Sequence, residues 1–361
     1  CILVSPSIGL QEYYKIISTQ DMTPKLFQIT GRLAQAIPSV LVVIILSFIL
    51  TRMLPGDPAV YFAGDMADKE SIEQMRRSLG LDRSWLEQFY IYIINLIEGD
   101  WGISLTTGQP VTDELLARLP ASLELTIFGL ILSIAAAVPL GIAAANHKDS
   151  WIDHFCRILV TAGVSLPIFF TGLFLVYIFY FLLGWAPSPI GRIDILVLSP
   201  PPVTGFYTID SLLANESETF FASLAQLILP AATLGLFALA PIARMTRSAM
   251  LGALKSDYVR TARASGLSRK KILLTYALQN AALPIFTTLG MVFSFLLGAN
   301  VLVEKVFSWP GVGLYAIEAL IASDYAAVQG FVLTMALLFV FVNLTIDIIL
   351  TLIDPRVGFD D

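Results

Sequence analysis

Apolar residues run through the chain in six long stretches, and a polar segment separates each stretch from the next. A helix needs about 20 mostly apolar residues to cross the hydrocarbon core of a bilayer. Because all six stretches are long enough, the pattern predicts an all-α membrane protein with six transmembrane helices. The expected spans cover residues 33–54, 119–145, 155–183, 224–243, 282–303 and 327–353.

Proline recurs within these spans. Pro167 interrupts the third span, and Pro230 and Pro241 lie in the fourth. Neighbouring helices or water can satisfy the backbone groups that a proline frees inside a membrane. We therefore expect both segments to remain spans, with an interruption at Pro167.

The polar segment between the first two spans, residues 55–117, has a helical pattern of its own. It predicts two short helices with a break at Gly80, the first capped by Asp68 or Ser71. The segment 184–223 contains three consecutive prolines and a short apolar run, and we expect it to be ordered.

Lysine and arginine are concentrated in the segment 244–281. Its basic residues are Arg244, Arg247, Lys255, Arg260, Arg263, Arg269, Lys270 and Lys271. The segment 184–223 holds only Arg192. Because cytoplasmic loops carry the excess of basic residues, we expect 244–281, the 147–157 loop and both termini to be cytoplasmic. The segment 55–117 then lies outside.

The composition agrees with a membrane protein. The chain is 56% hydrophobic and 14% charged, with a mean hydropathy of +0.77, whereas soluble domains carry about 25% charged residues. A net charge of −6 argues against a nucleic-acid partner. Cys1 and Cys156 form no CxxC pair, which excludes a disulfide scaffold and a thiolate zinc site.

The chain begins at Cys1, and its first methionine is Met22. We expect residues 1–21 to be a poorly ordered extension or a cloning remnant. Residues 22–361 are expected to form a single transmembrane domain.

Residues 256–271, with the sequence SDYVRTARASGLSRKK, combine basic charge with a helical pattern. Four small or weakly apolar residues recur at the spacing of one helical face, which suits contact with another protein. These residues are Tyr258, Thr261, Ala262 and Ser265. The alternative is a solvated loop whose charge serves only membrane topology.

Gly266 allows a sharp helix end, and Ser268 can cap a second helix. Arg269, Lys270 and Lys271 then fall in the first turn of that helix, where the helix dipole disfavours cations. Charge placed against this preference indicates an anionic partner, either lipid headgroups or an acidic protein surface.

This helix-glycine-helix segment resembles the EAA loop of ABC importer permeases in the dipeptide, oligopeptide and nickel branch. That loop ends in a glycine that a Leu-Pro pair follows, here Gly266 and Leu283-Pro284. Arg260 stands where the motif has its glutamate, as in much of the peptide branch. Other similar stretches are RMLPGDPA, GDWGISLTTGQPV, RLPASLELT, VLVEKVFSWPGVG, SDYAAVQG and VNLTIDIILTLIDPRV. The resemblance extends from about Leu33 to Arg356.

The resemblance implies a non-catalytic permease subunit of an ATP-driven importer in the bacterial cytoplasmic (inner) membrane. The implied partners are a second homologous permease, two cytoplasmic ABC ATPase subunits, an extracytoplasmic solute-binding protein and membrane lipid. The cargo would be a peptide or a related small solute. ATP and Mg would bind the ATPases, and this chain, which lacks a GxxxxGK[ST] loop, would bind no cofactor. The implied ATPase-coupling residues are Tyr258, Arg260, Thr261, Ala262, Arg263, Ala264, Ser265, Gly266 and Leu267.

Polar side chains in the spans are candidates for the solute pathway or for contact with the second permease. The candidates are Asn343, Asp347 and Glu304. Asn343 and Asp347 lie four residues apart on one helical face. The alternative is that these residues form hydrogen bonds between helices of the same chain or contact lipid headgroups at the membrane surface, and we favour this alternative for each of them and for Glu124.

Two other classes of protein compete with the importer. A self-sufficient secondary transporter would show a repeat and paired ionisable residues in its spans, but only Asp347 lies well inside one. An intramembrane enzyme would need a catalytic constellation, and the sequence contains no HExxH or GxSxG motif. The basic helix-glycine-helix segment has a function only in the importer.

Overall fold

The computed structural model describes residues 37–49, 52–53, 57–64 and 67–353. Regular structure in this part of the chain is helical, apart from one isolated backbone pairing between Ile103 and Pro110. The all-α prediction is confirmed. The predicted extension 1–21 lies outside the described residues, and the division of the chain at residue 22 stays a prediction.

The helices follow one another along the chain without any intervening sheet in the described ranges. In order they are α1 (Ile37–Ile49), α2 (Pro58–Ala63), α3 (Lys69–Ser78), α4 (Trp85–Glu98), α5 (Val111–Asn146), α6 (Trp151–Ser165), α7 (Ile168–Leu182), α8 (Tyr207–Leu213), α9 (Ser217–Leu254), α10 (Asp257–Ala264), α11 (Arg269–Val306), α12 (Val312–Ile321) and α13 (Tyr325–Ile353). Helices α7 and α11 include π-helical turns at Val176–Leu182 and Ile272–Ala277.

Helices α5, α9, α11 and α13 are long and apolar enough to cross a membrane. They contain the predicted second, fourth, fifth and sixth spans. A helix of 38 residues, the length of α9, is about 57 Å long, well beyond the roughly 30 Å hydrocarbon core. These helices therefore project from the membrane and carry the polar segments that join them.

The predicted third span is broken rather than straight. Helices α6 and α7 meet at an angle of 105°. Leu166 is extended, as the residue before a proline prefers to be, and Pro167 is the N-cap residue of α7. The interruption at Pro167 is confirmed. The first span, 33–54, is described only in part by α1, so the total of six spans stays a prediction.

The core lies where α5, α9 and α11 pack together, and alanine and leucine dominate it. Glycines allow the backbones of α5 and α9 to approach closely. A Cβ atom on Gly129 would lie 2.8 Å from the Leu234 Cβ atom, and one on Gly141 would lie 2.7 Å from the Thr246 Cβ atom. Both distances are too short for real carbon atoms, so these positions require glycine.

We predict that Gly141→Ala lowers the free energy of unfolding by about 1–3 kcal/mol, because the added methyl group forces α5 and α9 apart. Gly252→Ala is the matched control, since a Cβ atom there meets nothing within 4 Å. At this helical position alanine should stabilise by roughly 0.5–1 kcal/mol. Unfolding in mixed micelles measures both variants, and equal effects would contradict the close packing at Gly141.

The described part of the segment 55–117 contains the two predicted helices, α3 and α4, and also the short helix α2, which was not predicted. The Asp68 side chain caps α3 by accepting a hydrogen bond from the Ser71 backbone N–H at 2.9 Å. Gly80 follows α3 with φ +65°, a left-handed conformation that glycine adopts at little cost. Ser84 then caps α4. The two helices and the break between them are confirmed.

Candidate functional site

The polar segments meet at two ends of the helix bundle. We call one the basic end; it comprises the ends of α5 and α9 and the starts of α6 and α11. Arg269 donates hydrogen bonds to the Oδ1 and backbone O atoms of Asn146 at 3.1 and 3.2 Å. Arg247 donates two to the buried Asp153 at 2.5 and 2.8 Å. The two segments that the charge pattern assigns to one side of the membrane are therefore in contact.

The basic segment is more helical than expected. Helix α9 continues to Leu254 and α11 begins at Arg269. The predicted loop 244–281 is therefore reduced to residues 255–268, and α10 occupies most of that connection. Because the connections on both sides of α10 are short, the positions of α9 and α11 largely determine where α10 lies.

One face of α10 is buried against the bundle. Val259 is fully buried and Ala262 is 5% exposed, and both pack with Ile272 of α11. The helical-face prediction placed Ala262 on a surface that contacts another protein. The structure turns it inward instead, because Val259 and Ala262 form the apolar stripe that anchors the amphipathic helix.

The opposite face of α10 is open to a partner. Tyr258 is 41% exposed, and the Arg260 side chain is 76% exposed and pairs only locally, with Asp257 at 3.2 Å. The hydroxyls of Thr261 and Ser265 donate to carbonyls one helical turn earlier. Arg263 and Ala264 are also exposed. This face is a short ridge of small side chains with one aromatic ring and several cations.

Gly266 ends α10 in a Schellman motif. Its φ of +75° is left-handed, its N–H donates to the Arg263 carbonyl at 3.0 Å, and the Leu267 N–H donates to the Ala262 carbonyl at 3.3 Å. Ser268 then caps α11 by accepting from the Lys271 N–H. The predicted helix-glycine-helix arrangement is confirmed, and we call it the coupling hairpin, residues 256–271.

Glu304 lies inside the subunit. It is fully buried and accepts hydrogen bonds from the Ser122 hydroxyl at 2.5 Å, the Asn300 side chain at 2.9 Å and the Leu314 N–H at 2.9 Å. A Cβ atom on Gly311 would lie 2.3 Å from the Glu304 Oε1 atom. These contacts favour the interpretation that Glu304 holds helices together, rather than lining a pathway.

Asn343 and Asp347 are half-buried on α13. Asn343 accepts a hydrogen bond from the Ser294 hydroxyl of α11 at 3.4 Å. This contact joins two helices of the same chain. A role for Asn343 or Asp347 in a pathway or a permease interface stays a prediction.

The other end of the bundle contains an ion pair that sequence reasoning did not assemble. The Arg192 guanidinium donates to the Glu124 Oε2 atom at 2.5 Å, and the two side chains are 7% and 1% exposed. Thr208 donates its N–H and hydroxyl to the other carboxylate oxygen of Glu124 at 2.9 and 2.7 Å. Arg192 also lies 3.6 Å from the centre of the Tyr207 ring. The sequence did contain one indication that Arg192 has a special role, because it is the only basic residue in the segment 184–223.

Two aspartates fix further loops at this end. Asp324 accepts from the Ser104 hydroxyl and the Leu105 N–H, both at 2.7 Å. Burial raises the pKa of the Asp210 carboxyl, but hydrogen bonds from Thr204 and from the backbone N–H groups of residues 203–205 outweigh it and hold the pKa below its usual range. Among the described residues, no three His, Cys, Asp or Glu side chains converge as metal ligands.

Family models match most of the chain. Residues 137–359 match the binding-protein-dependent transport system inner membrane component family, and residues 26–126 match the N-terminal model of the same membrane components.

Curated relatives match along most of their length. A probable D,D-dipeptide transport system permease of Escherichia coli (strain K12) is 44% identical over 88% of this chain and 93% of the relative. A di/tripeptide transport system permease of Pseudomonas aeruginosa (strain UCBPP-PA14) is 42% identical over 91% of this chain and 98% of the relative. A dipeptide transport system permease of E. coli K12 is 39% identical over 91% of this chain and 98% of the relative.

A solved structure supports the fold. A chain from inward-facing crystals of the MetNI methionine ABC transporter matches with a TM-score of 0.50 and 15% identity, over 66% of this chain and 95% of that chain. At this identity the match concerns the fold alone. From the family models and the relatives together, the chain belongs to the family of binding-protein-dependent transport system inner membrane components, the non-catalytic permease subunits of ABC importers.

Proposed function

We propose that this chain is one of two permease subunits of an importer that takes up di- or oligopeptides across the bacterial inner membrane. The observation that carries the proposal is the coupling hairpin, whose inner face is buried and whose outer face is free for a partner. The cargo is inferred from the relatives described above, which are named for dipeptide or di/tripeptide transport.

The proposed assembly contains a second homologous permease, two cytoplasmic ABC ATPases and an extracytoplasmic solute-binding protein. This chain contains no phosphate-binding GxxxxGK[ST] loop, so the energy of ATP must reach it through a protein contact. ATP and Mg bind the ATPases. In this proposal the basic end of the bundle faces the cytoplasm, because cytoplasmic loops carry the excess of Lys and Arg.

In this proposal the outer face of α10 docks on an ATPase. The contacting residues are Tyr258, Arg260, Thr261, Arg263, Ala264 and Ser265, while Ala262, Gly266 and Leu267 maintain the shape of the hairpin. Closure of the two ATPases on ATP then favours one of two arrangements of the permeases, so that nucleotide and solute binding are coupled.

The packing of α10 explains how a small movement could be transmitted. Val259 and Ala262 contact Ile272, which lies in the first turns of α11. Helix α11 runs from there as far as Val306, at the opposite end of the bundle. A displacement of α10 would therefore be passed on to α11, because packed interiors transmit strain rather than absorb it.

Purification from the native membrane tests the assembly. The tagged chain, extracted in mild detergent, should carry a second permease and ABC ATPases that mass spectrometry identifies. The same complex in liposomes should accumulate a labelled dipeptide only with ATP and the binding protein. A chain that purifies alone and moves solute without ATP would instead be a secondary transporter.

We predict that Arg260→Glu weakens ATPase binding about 5- to 10-fold, because it reverses a charge on the outer face of α10. Arg83→Glu, which alters an exposed arginine at the other end of the bundle, is the matched control. Co-purification at increasing salt measures both variants. If Arg260→Glu assembles like the control, the positive charge at this position serves membrane topology only.

A further inference from the structure

Helix α4 carries large apolar side chains that the rest of the described chain leaves uncovered. Leu86 and Ile97 are 83% and 81% exposed, and Tyr90 is exposed between them. The three residues lie on one side of the helix, at the spacing i, i+4 and i+11. We call this face the outer stripe of α4. Residues 88–97 include no charged side chain, and a helical face of this kind indicates an apolar surrounding outside the subunit.

The opposite face of α4 packs against the end of α1. The centre of the Phe48 ring lies 5.2 Å from the centre of the Phe89 ring and 5.7 Å from that of the Tyr92 ring. The Arg52 guanidinium donates a hydrogen bond to the Gln88 side chain at 3.0 Å. Residues 48–52 belong to the last two turns of the predicted span 33–54. At 1.5 Å per residue, these contacts lie about 3–9 Å inside the outer end of that span.

The face of α1 that α4 covers is exposed elsewhere along α1. Ile37 and Leu41 lie on the same side of α1 as Phe48, at the spacing i, i+4 and i+11, and both are exposed. Phe48 is only 3% exposed, because the rings of α4 cover it. Helix α4 therefore lies on the outer surface of the subunit and not between its long helices.

The residues that follow α4 are held at the start of α13. Asp324 accepts hydrogen bonds from the Ser104 hydroxyl and the Leu105 N–H. A Cβ atom on Gly102 would lie 3.2 Å from the Ala326 Cβ atom, and the predicted sixth span starts at residue 327. The middle of α4 and the segment after it thus lie at the outer ends of two spans. These contacts place α4 at the membrane boundary.

We infer that α4 is an interfacial helix whose outer stripe is buried in the outer leaflet of the membrane. Interfacial helices insert their apolar face about 5–10 Å into the boundary between headgroups and acyl chains. This depth matches the level at which α4 contacts α1. Trp85, which is exposed at the start of α4, has the amphipathic ring that is enriched at membrane interfaces. Glu87 and Glu98 are exposed on a neighbouring face, where headgroups and water can solvate them.

Two protein partners are the alternatives to lipid. A solute-binding protein that docks and leaves would favour a more polar contact surface than the outer stripe. A second permease would have to meet this subunit at its outer rim. The inference rests on the membrane placement of α1 and α13 in the proposed function. It requires neither a particular cargo nor the docking of an ATPase.

Spin labels on the full chain, in vesicles of phosphatidylethanolamine and phosphatidylglycerol, test the inference. The chain's own two cysteines are first replaced by serine. Labels are then attached in the variants Leu86→Cys, Tyr90→Cys and Ile97→Cys. Oxygen, which concentrates in lipid, should relax these labels more strongly than a water-soluble nickel complex does. The ratio of the two effects should give a depth of about 5–10 Å.

Glu87→Cys and Glu98→Cys are the matched controls, because they carry the same label on the same helix. The nickel complex should relax both control labels more strongly than oxygen does. Labels on the outer stripe that the nickel complex reaches as readily as the controls would place α4 in water and overturn the inference.

The same labels in the purified importer with its binding protein separate lipid from protein. Oxygen should still reach the outer stripe in that complex. Loss of oxygen access when the second permease or the binding protein joins would assign the stripe to a protein interface instead. Because co-purification and ATP-driven uptake are measured separately, either contrary result would leave the importer assignment standing.

Discussion

Arg192→Met should lower the free energy of unfolding by about 3–5 kcal/mol, the largest stability effect that we expect from a single substitution in this chain. The substitution leaves the carboxylate of Glu124 buried at 1% exposure without its cation. It also removes the hydrogen bond from Arg192 to the Gly205 carbonyl at 2.7 Å and the contact with the Tyr207 ring. Unfolding of the purified chain in mixed micelles measures the loss.

Arg83→Met is the matched control for Arg192→Met. Arg83, in the turn before α4, and Glu87, in the first turn of α4, form an ion pair of 3.4 Å with 47% and 52% of their side chains exposed. Breaking such a pair costs roughly 0–1 kcal/mol. The double variant Glu124→Leu/Arg192→Met should recover much of the loss, because it removes both buried charges. An Arg192→Met variant as stable as the control would contradict a structural role for the buried pair.

Gly266→Pro should leave the chain inserted in the membrane but abolish ATP-driven uptake. Proline fixes φ near −65°, whereas Gly266 has a φ of +75°. It also lacks the N–H that donates to the Arg263 carbonyl, and it disfavours the backbone conformation that Ser265 adopts before it, with φ −77° and ψ 5°. The coupling hairpin would lose its turn, while the distant core around α5 and α9 would keep its packing.

The variant Gly266→Asn tests whether uptake requires the left-handed turn at position 266 or a glycine residue there. Asparagine tolerates the left-handed conformation and retains its N–H, and a side chain here meets nothing within 4 Å. Uptake should therefore persist in this variant at equal membrane abundance. Normal uptake by a stable Gly266→Pro variant would show that the turn is not needed for coupling.

The sequence predicted those features that depend on local chemistry. Apolar stretches marked the four long helices, since a spanning helix must be apolar over about 20 residues. Pro167, Gly80 and Gly266 marked breaks because each restricts or frees the backbone where it stands. Basic residues marked the end of the bundle that carries the coupling hairpin. The angle between α6 and α7 was not predictable, since it depends on how both helices pack against others.

Contacts between distant residues account for what sequence reasoning missed. Glu124 and Arg192 were noticed separately, but 68 positions separate them and only the folded chain brings them together. Ala262 was assigned to the outer face because its spacing matched Tyr258, Thr261 and Ser265. Spacing alone cannot distinguish two overlapping faces of a short helix. The presence of Ile272 behind α10 decides which of them is buried.

Photo-crosslinking from the outer face of α10 tests the central claim most directly. With p-benzoylphenylalanine at the position of Tyr258, illumination of native membranes should join this chain to an ABC ATPase, which mass spectrometry identifies. The same probe at Ile195, an exposed residue at the opposite end of the bundle, should give no ATPase adduct. An ATPase adduct from Ile195, or none from Tyr258 in a chain that still supports ATP-driven uptake, would contradict coupling through this hairpin.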